Sequence, residues 1–322
     1  MRAIIGLAFS LSLLASDAFA QTSYPEQSIR ILVGFLPGTA PDVVARAMAD
    51  KLSTTLGKAV VVENVSGANG NIACDRTAKS PPDGYTLVMC GNGSLIFAPS
   101  LYAKLPYDPV KDFKPITQVF VAANILVVSP DVPAKSLPEL VALAKAKPGE
   151  LTYGHTGIGS SQHLAAELFK SMAHLDIRPV GYRGSTAVLP DLLAGRISLG
   201  FTNIVNVAPL VNEGRLRGFA VTSRKRSNLV PELPTMQEAG YPGYEAVPWF
   251  GLMAPAGTPQ PIVEKLYQES IKVLAMPDVR RSLENQGLDV IGGTPAELAE
   301  AIKTELPYWA KIIKDAGIKA GE

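Results

Sequence analysis

The 322-residue chain has little with which to hold a metal or drive covalent chemistry, since it contains three histidines and two cysteines. Numbers this low argue against a Cys/His metal cluster. There is no surplus of either charge: 30 Lys and Arg stand against 29 Asp and Glu, a net charge of +1. That excludes the basic field a nucleic-acid binder needs. Common enzyme signatures are missing too: there is no G-x-S-x-G, G-x-x-x-x-G-K-[ST], H-E-x-x-H or C-x-x-C. Gly157-Ile158-Gly159 lacks the third glycine of a dinucleotide fingerprint. Ser160 or Ser161 with His163 has the residue types of a nucleophile and base, but at this spacing on a helix start a capping arrangement is the stronger reading. Neither an enzyme nor a resident cofactor is expected. Beyond the N-terminus no run of 18 apolar residues occurs, so no later membrane span is expected.

The N-terminus carries an address. Met1-Arg2 is a short basic start, residues 3–15 form an apolar run, and Ala18-Phe19-Ala20 supplies a small-x-small cleavage pattern. Residues 1–20 are read as a signal peptide, with the mature chain beginning at Gln21 in an oxidising, extracytoplasmic compartment. With 47% hydrophobic and 18% charged residues the remainder is globular, and its length suits two domains.

Apolar β-branched runs alternate with helical patterns. Residues 29–35, 60–64 and 85–90 read as strands, separated by a helix over 43–56 with Asp42 as its N-cap and another near 72–79. This β-α-β-α-β order implies a parallel sheet with right-handed crossovers. The theme repeats with strands near 151–154, 177–182, 197–201 and 216–223 and helices over 137–147, 163–173 and 185–193. After Pro255 the chain reads as helical to its end, with a capping box at Thr294 and a kink at Pro307. The apolar runs 116–128 and 245–254 have no partner within one unit and read as two crossings between domains. The expected organisation is residues 21–122 with 251–322 as lobe I and 123–250 as lobe II. Trp249 and Phe250 are expected to pack at the hinge, with one ring edge near the cleft.

Small-residue loops separate strand ends from helix starts at 36–42, 67–71, 91–94 and 156–161. In a parallel sheet such loops share the carboxyl edge, where ligands bind. Glycine allows close backbone approach, and free N–H groups at a helix start hold an anion without lysine or arginine.

Several motifs together resemble the Bug family, the substrate-binding proteins of tripartite tricarboxylate transporters. They are Phe35-Leu36-Pro37-Gly38 through Asp42, Val62-Glu63-Asn64, Gly70-Asn71-Ile72, Asp83-Gly84-Tyr85-Thr86-Leu87 and Leu105-Pro106-Tyr107-Asp108-Pro109. Gly159-Ser160-Ser161, His163-Leu164, Tyr182-Arg183-Gly184, Trp249-Phe250-Gly251-Leu252 and residues 254–259 extend the match over the whole mature chain. The resemblance implies an α/β periplasmic-binding-protein fold of the Venus-flytrap type, with two lobes, each with a central β-sheet, joined by a two-crossing hinge. It implies capture of a small di-, tri- or aromatic carboxylate and its delivery to a membrane permease, with a monomer as the default state. A ligand sensor for a membrane kinase is the alternative.

By the same resemblance, Phe35, Gly38, Thr39, Ala40 and Asp42 form the first anion loop, with Asp42 organising it rather than touching the ligand. Gly93 and Ser94 follow. Thr156, Gly159, Ser160 and Ser161 form the opposing loop, and Asn203 lies near the cleft. Thr39 replaces a second glycine of the family, Ala98 a frequent Asn and Thr202 a frequent Asp, while His155 and Thr156 stand where small residues are usual. His155 and Phe97 are therefore candidates for selecting the distal part of the ligand, with loop packing as the alternative. Cys74 and Cys90 fall at the same edge of one βαβ unit, within reach of a disulfide, with two small buried thiols as the alternative. Arg224-Lys225-Arg226 reads as a solvated loop or a docking patch for the permease.

Overall fold

The computed structural model describes residues 24–182 and 185–319. The signal-peptide reading and Arg183-Gly184 of the family motif lie outside the described residues.

The first sheet contains β1 (Ile29–Val33), β2 (Val60–Asn64), β3 (Thr86–Gly91), β4 (Phe113–Ala122), β10 (Trp249–Pro255) and β11 (Leu288–Val290), in the order β11-β4-β10-β3-β1-β2. Strands β1, β2 and β3 are parallel, and β10 enters antiparallel to β3 and β4. The second sheet contains β5 (Asn124–Val128), β6 (Thr152–His155), β7 (Arg178–Gly181), β8 (Leu199–Asn203) and β9 (Arg217–Val221), in the order β7-β6-β8-β5-β9. The chain crosses between the sheets at Ala123 and returns into β10.

Side chains on a strand alternate between faces, and both faces of these sheets are buried. In the first sheet Ile31, Val33, Leu87 and Met89 pack on α1 (Ala40–Leu56), α8 (Gln260–Leu274) and α9 (Pro277–Glu284). Leu32, Val88 and Cys90 face the other way, onto α2 (Asn71–Ala78), α3 (Ala98–Leu101) and α10 (Pro295–Asp315). In the second sheet Leu126, Val128 and Tyr153 pack on α4 (Leu137–Ala146) and α5 (Ser161–Ala173), in the same continuous core. Ile125 and Val127 face α6 (Ser185–Leu193) and α7 (Ile204–Asn212). The Tyr244 hydroxyl, donated to the Ala165 carbonyl at 2.8 Å, ties the return crossing to α5.

Several local expectations change. Asp42 is not the N-cap of α1: Thr39 holds that position, and Asp42 lies buried inside the first turn. The stretch after Pro255 is not wholly helical, because residues 288–290 form β11 on the sheet edge. Trp249 and Phe250 pair with Val121 and Phe120 in the first sheet, so the return crossing ends before Trp249, two residues earlier than the sequence boundary. Helix α10 continues through Pro307 to Asp315. Cys74 of α2 and Cys90 of β3 are joined as a disulfide.

Candidate functional site

The parallel order of β1, β2 and β3 brings three loops together. A Cβ on Gly34 would stand 2.4 Å from the Gly70 Cα, so the first two loops touch through their backbones. Ser94 donates its hydroxyl to the Asn69 carbonyl at 2.9 Å and is buried. The buried Tyr107 hydroxyl lies 2.9 Å from both Asn71 Oδ1 and the Ser94 carbonyl, which fixes the second and third loops to each other. Gly93 lies beside Asn69 in the same cluster. Phe35 stands edge-on to Phe250 at 5.5 Å, and Phe250 stacks on Phe120 at 5.0 Å.

Asp42 organises the first loop. Its carboxylate accepts the Gly38 N–H at 2.8 Å, the Asn64 amide at 2.8 Å and the Arg46 Nε at 3.0 Å. Burial alone would raise the Asp42 pKa. The hydrogen bonds from Arg46, Gly38 and Asn64, with the Arg46 charge, outweigh this and hold the carboxyl below its ordinary range. The Thr39 hydroxyl donates to the Leu36 carbonyl at 2.7 Å. Pro41 lacks an N–H, so among the described residues the unpartnered main-chain donors of the α1 start are Ala40 and Asp42.

The opposing loop follows β6. The Ser160 hydroxyl caps α5 by accepting the His163 N–H at 3.3 Å, so the serine and histidine form a helix cap and not a nucleophile and base. The Gly157 N–H is donated to His155 Nδ1 at 3.2 Å and the Gly159 N–H to His163 Nδ1 at 3.1 Å. The two imidazoles stack at 4.3 Å. Burial, then His155 and Lys170, push His163 down to about 3, and burial lowers His155 too. Thr156 donates to Gln162 Oε1 at 2.9 Å. Among the described residues, Ser161 and Gln162 keep unpartnered N–H groups in the first turn of α5.

The two loop sets meet. Asn69 Nδ2 lies 3.5 Å from the Ile158 carbonyl, and a Cβ on Gly159 would fall 2.2 Å from Leu101 Cδ1. Asn203 caps α7 by accepting the Val205 N–H at 3.0 Å. A cavity of about 10 Å³, lined by Thr156, Gln162 and Thr202 among others, lies behind the second loop. Phe97 is not in the cleft: it is 2% exposed and meets Trp309 edge-on at 5.1 Å, so it packs α3 against α10.

A larger cavity of about 1030 Å³ is lined by residues of both lobes, from Asn92 of the 91–94 loop and the β4 and β11 strands to the segment after β9. Arg224, Lys225 and Arg226 line it opposite Glu284, Asp289 and Glu305. Arg224 pairs with Glu245 at 2.6 Å and Arg226 with Glu238 at 2.9 Å, so both arginines are engaged within the second lobe. The Glu305 carboxylate accepts the Trp249 indole N–H at 3.0 Å, and burial raises its pKa to about 7 against that bond.

Sequence reasoning located these loops but missed Tyr107, His163 and Asn64 as their supports. Tyr107 and Asn64 stand inside motifs used for the resemblance. His163 follows the loop by the i+4 spacing from Gly159 that its bond requires.

Comparisons with known proteins show the family and the fold. Residues 44–318 match the model of the tripartite tricarboxylate transporter family receptor. The chain is 36% identical to BugT of Bordetella pertussis over 318 residues, covering 98% of this chain and 97% of that protein. Among solved structures, Rpa4515 of R. palustris with adipate superposes with a TM-score of 0.80 at 37% identity, covering 92% of this chain and 99% of that one. MatC of Rhodopseudomonas palustris with bound malate gives a TM-score of 0.76 at 32% identity, covering 90% and 100%. These are solute-binding proteins and not enzymes, and their fold is the two-lobed periplasmic-binding-protein fold found here. The chain belongs to the tripartite tricarboxylate transporter receptor family, with the Bug proteins among its relatives.

Proposed function

We propose that this protein captures a small carboxylate, a dicarboxylate foremost, between its two lobes and delivers it to the permease of a tripartite transporter. The observation that carries the reading is the pairing of two anion-ready helix starts, one in each lobe. Ala40 and Asp42 on α1, and Ser161 and Gln162 on α5, keep main-chain N–H groups free, and the α5 loop meets the lobe I loop set through Asn69. The described residues of both loops contain no lysine or arginine. A helix start supplies about half a positive charge together with directed donors. Adipate bound to one relative and malate to another support the same ligand chemistry.

In this reading Phe35, Gly38, Thr39, Ala40, Gly93 and Ser94 build the lobe I wall, with Asp42 as its organiser. His155, Thr156, Gly159, Ser160 and Ser161 build the lobe II wall, with Asn203 at the floor. The loops already touch, so ligand entry requires the lobes to part about the two crossings. Only a ligand that contacts both walls favours closure. Export through the N-terminal signal and cleavage before Gln21 complete the reading, with the mature receptor acting as a periplasmic monomer.

Calorimetric titration of the chain from Gln21 with adipate, malate and their diamides tests it. Saturable binding of an acid, absent for its diamide, is expected. Equal response to acid and diamide, or none to a wider panel of mono-, di- and tricarboxylates by protein stripped of bound ligand, would overturn it.

A further inference from the structure

The loop after β6 has five main-chain N–H groups from Gly157 to Ser161: three are taken up locally, and those of Ile158 and Ser161 have no protein partner among the described residues. Gly157 donates to His155 Nδ1 at 3.2 Å, Gly159 to His163 Nδ1 at 3.1 Å and Ser160 to the Gly157 carbonyl at 3.1 Å. The α5 cap then consumes the His163 N–H. Both imidazoles are 5% exposed and stacked face to face at 4.3 Å. A nitrogen that accepts an N–H bond carries a lone pair, so Nδ1 is unprotonated on both rings and the proton of each neutral ring is on Nε2.

The first loop solves the same problem differently. There the acceptor for Gly38 N–H is a carboxylate, Asp42, whose charge is balanced by Arg46 at 2.9 Å. Among the described residues the second loop has no such cation at its acceptors. Lys170 is already paired with Glu167 at 2.6 Å, and Glu167 also accepts the Tyr153 hydroxyl. A second carboxylate acceptor here would place an unbalanced negative charge beside an anion site, and neutral imidazole avoids that.

We propose that His155 and His163 are positioning residues for the anion site. As a stacked pair of neutral Nε2–H imidazoles, they take the Gly157 and Gly159 N–H groups and leave those of Ile158, Ser161 and Gln162 for the ligand. The inference rests on the carboxylate reading above and deepens it: the imidazoles hold the second loop without adding a negative charge that would repel an anionic ligand. His163 carries the stronger role, since its bond spans from the loop to the helix that follows.

Three variants and one spectrum test this. His163→Asn keeps a neutral acceptor close to the Nδ1 position, His163→Leu removes it, and His163→Asp supplies a charged one. With adipate and malate as probes, His163→Asn is expected within about threefold of wild type. His163→Leu is expected at least tenfold weaker, and His163→Asp weaker still while its melting curve stays cooperative. Nitrogen-15 shifts of the wild-type protein at pH 7.5 are expected to show an unprotonated Nδ1 on both rings. A proton on Nδ1 of either ring, or His163→Leu and His163→Asp variants that bind both acids like wild type, would overturn the proposal. If His163→Leu does not fold, His163→Asn against His163→Asp decides the point. If wild type binds neither acid nor any member of the wider carboxylate panel, the carboxylate reading fails, and the tautomer still decides whether the imidazoles hold the loop as described.

Discussion

Asp42 and Gly159 show how single residues set the site. Asp42 is 2% exposed and gathers donors from Gly38, Asn64 and Arg46, so its loss leaves three donors without an acceptor. Asp42→Ala is expected to cost about 2–3 kcal/mol in a chemical melt and to abolish carboxylate binding. The Asp42 pKa is held down in the folded protein, so its stabilisation is complete above about pH 4 and fades as pH falls further. Gly159 has φ +74°, and a Cβ there would fall 2.2 Å from Leu101 Cδ1, so the leucine side chain would have to move aside. Gly159→Ala adds strain of about 1 kcal/mol from the left-handed backbone and a wedge between the lobes. Its ligand affinity is expected to fall at least tenfold. Adding Leu101→Ala should recover part of that loss, because the wedge is removed and the strain is not. No recovery in the double variant would show that the two residues do not meet across the cleft.

At the scale of elements, α10 and α5 carry opposing titrations. Glu305 on α10 is raised to about 7, mainly by burial, so the folded protein binds its proton more tightly than the unfolded chain does. Its stabilisation is present below about pH 4.5 and is lost as pH rises through 7. His163 on α5 is pushed down to about 3, also mainly by burial, so its stabilisation is complete above about pH 6.5 and is lost as pH falls. Between about pH 4.5 and 6.5 the two slopes, each about 1.4 kcal/mol per pH unit, oppose each other. Glu305→Gln is therefore expected to be more stable than wild type at pH 8 and to lose stability more steeply on acidification, as read from denaturation midpoints. The disulfide from α2 to β3 closes a short loop of sequence separation 16, and reduction is expected to cost about 3 kcal/mol. The secondary structure around these elements was legible where punctuation was strong: the α1 stop at Gly57, strand β2 and the Thr294 capping box all stand as read. Strand β11 was not legible, because three residues between helices show no period and its partner β4 is remote in sequence. The Asp42 cap was misread because an acidic residue in the first turn resembles an N-cap, and its bond runs backwards to Gly38 and not forwards into the helix.

For the whole molecule, alternating strand and helix patterns made two α/β lobes and two crossings legible, and glycine-rich loops marked the candidate edge. Which loop residues point inward was not legible. Phe97 turns to Trp309 because a helical segment follows β3 where the sequence suggests a plain loop. The large cavity was equally hidden, since it is lined by elements far apart in sequence, from Asn92 to Trp309. The account of the whole molecule is that one anion is gripped by two helix starts, one from each lobe. Amide chemical shifts of the chain from Gln21, followed through a titration with adipate or malate, test this most directly. The account predicts the largest downfield shifts at Ala40 and Asp42 in one lobe and at Ser161 and Gln162 in the other, saturating together. Shifts confined to one lobe, or centred on Arg224, Lys225 and Arg226 in the large cavity, would contradict it.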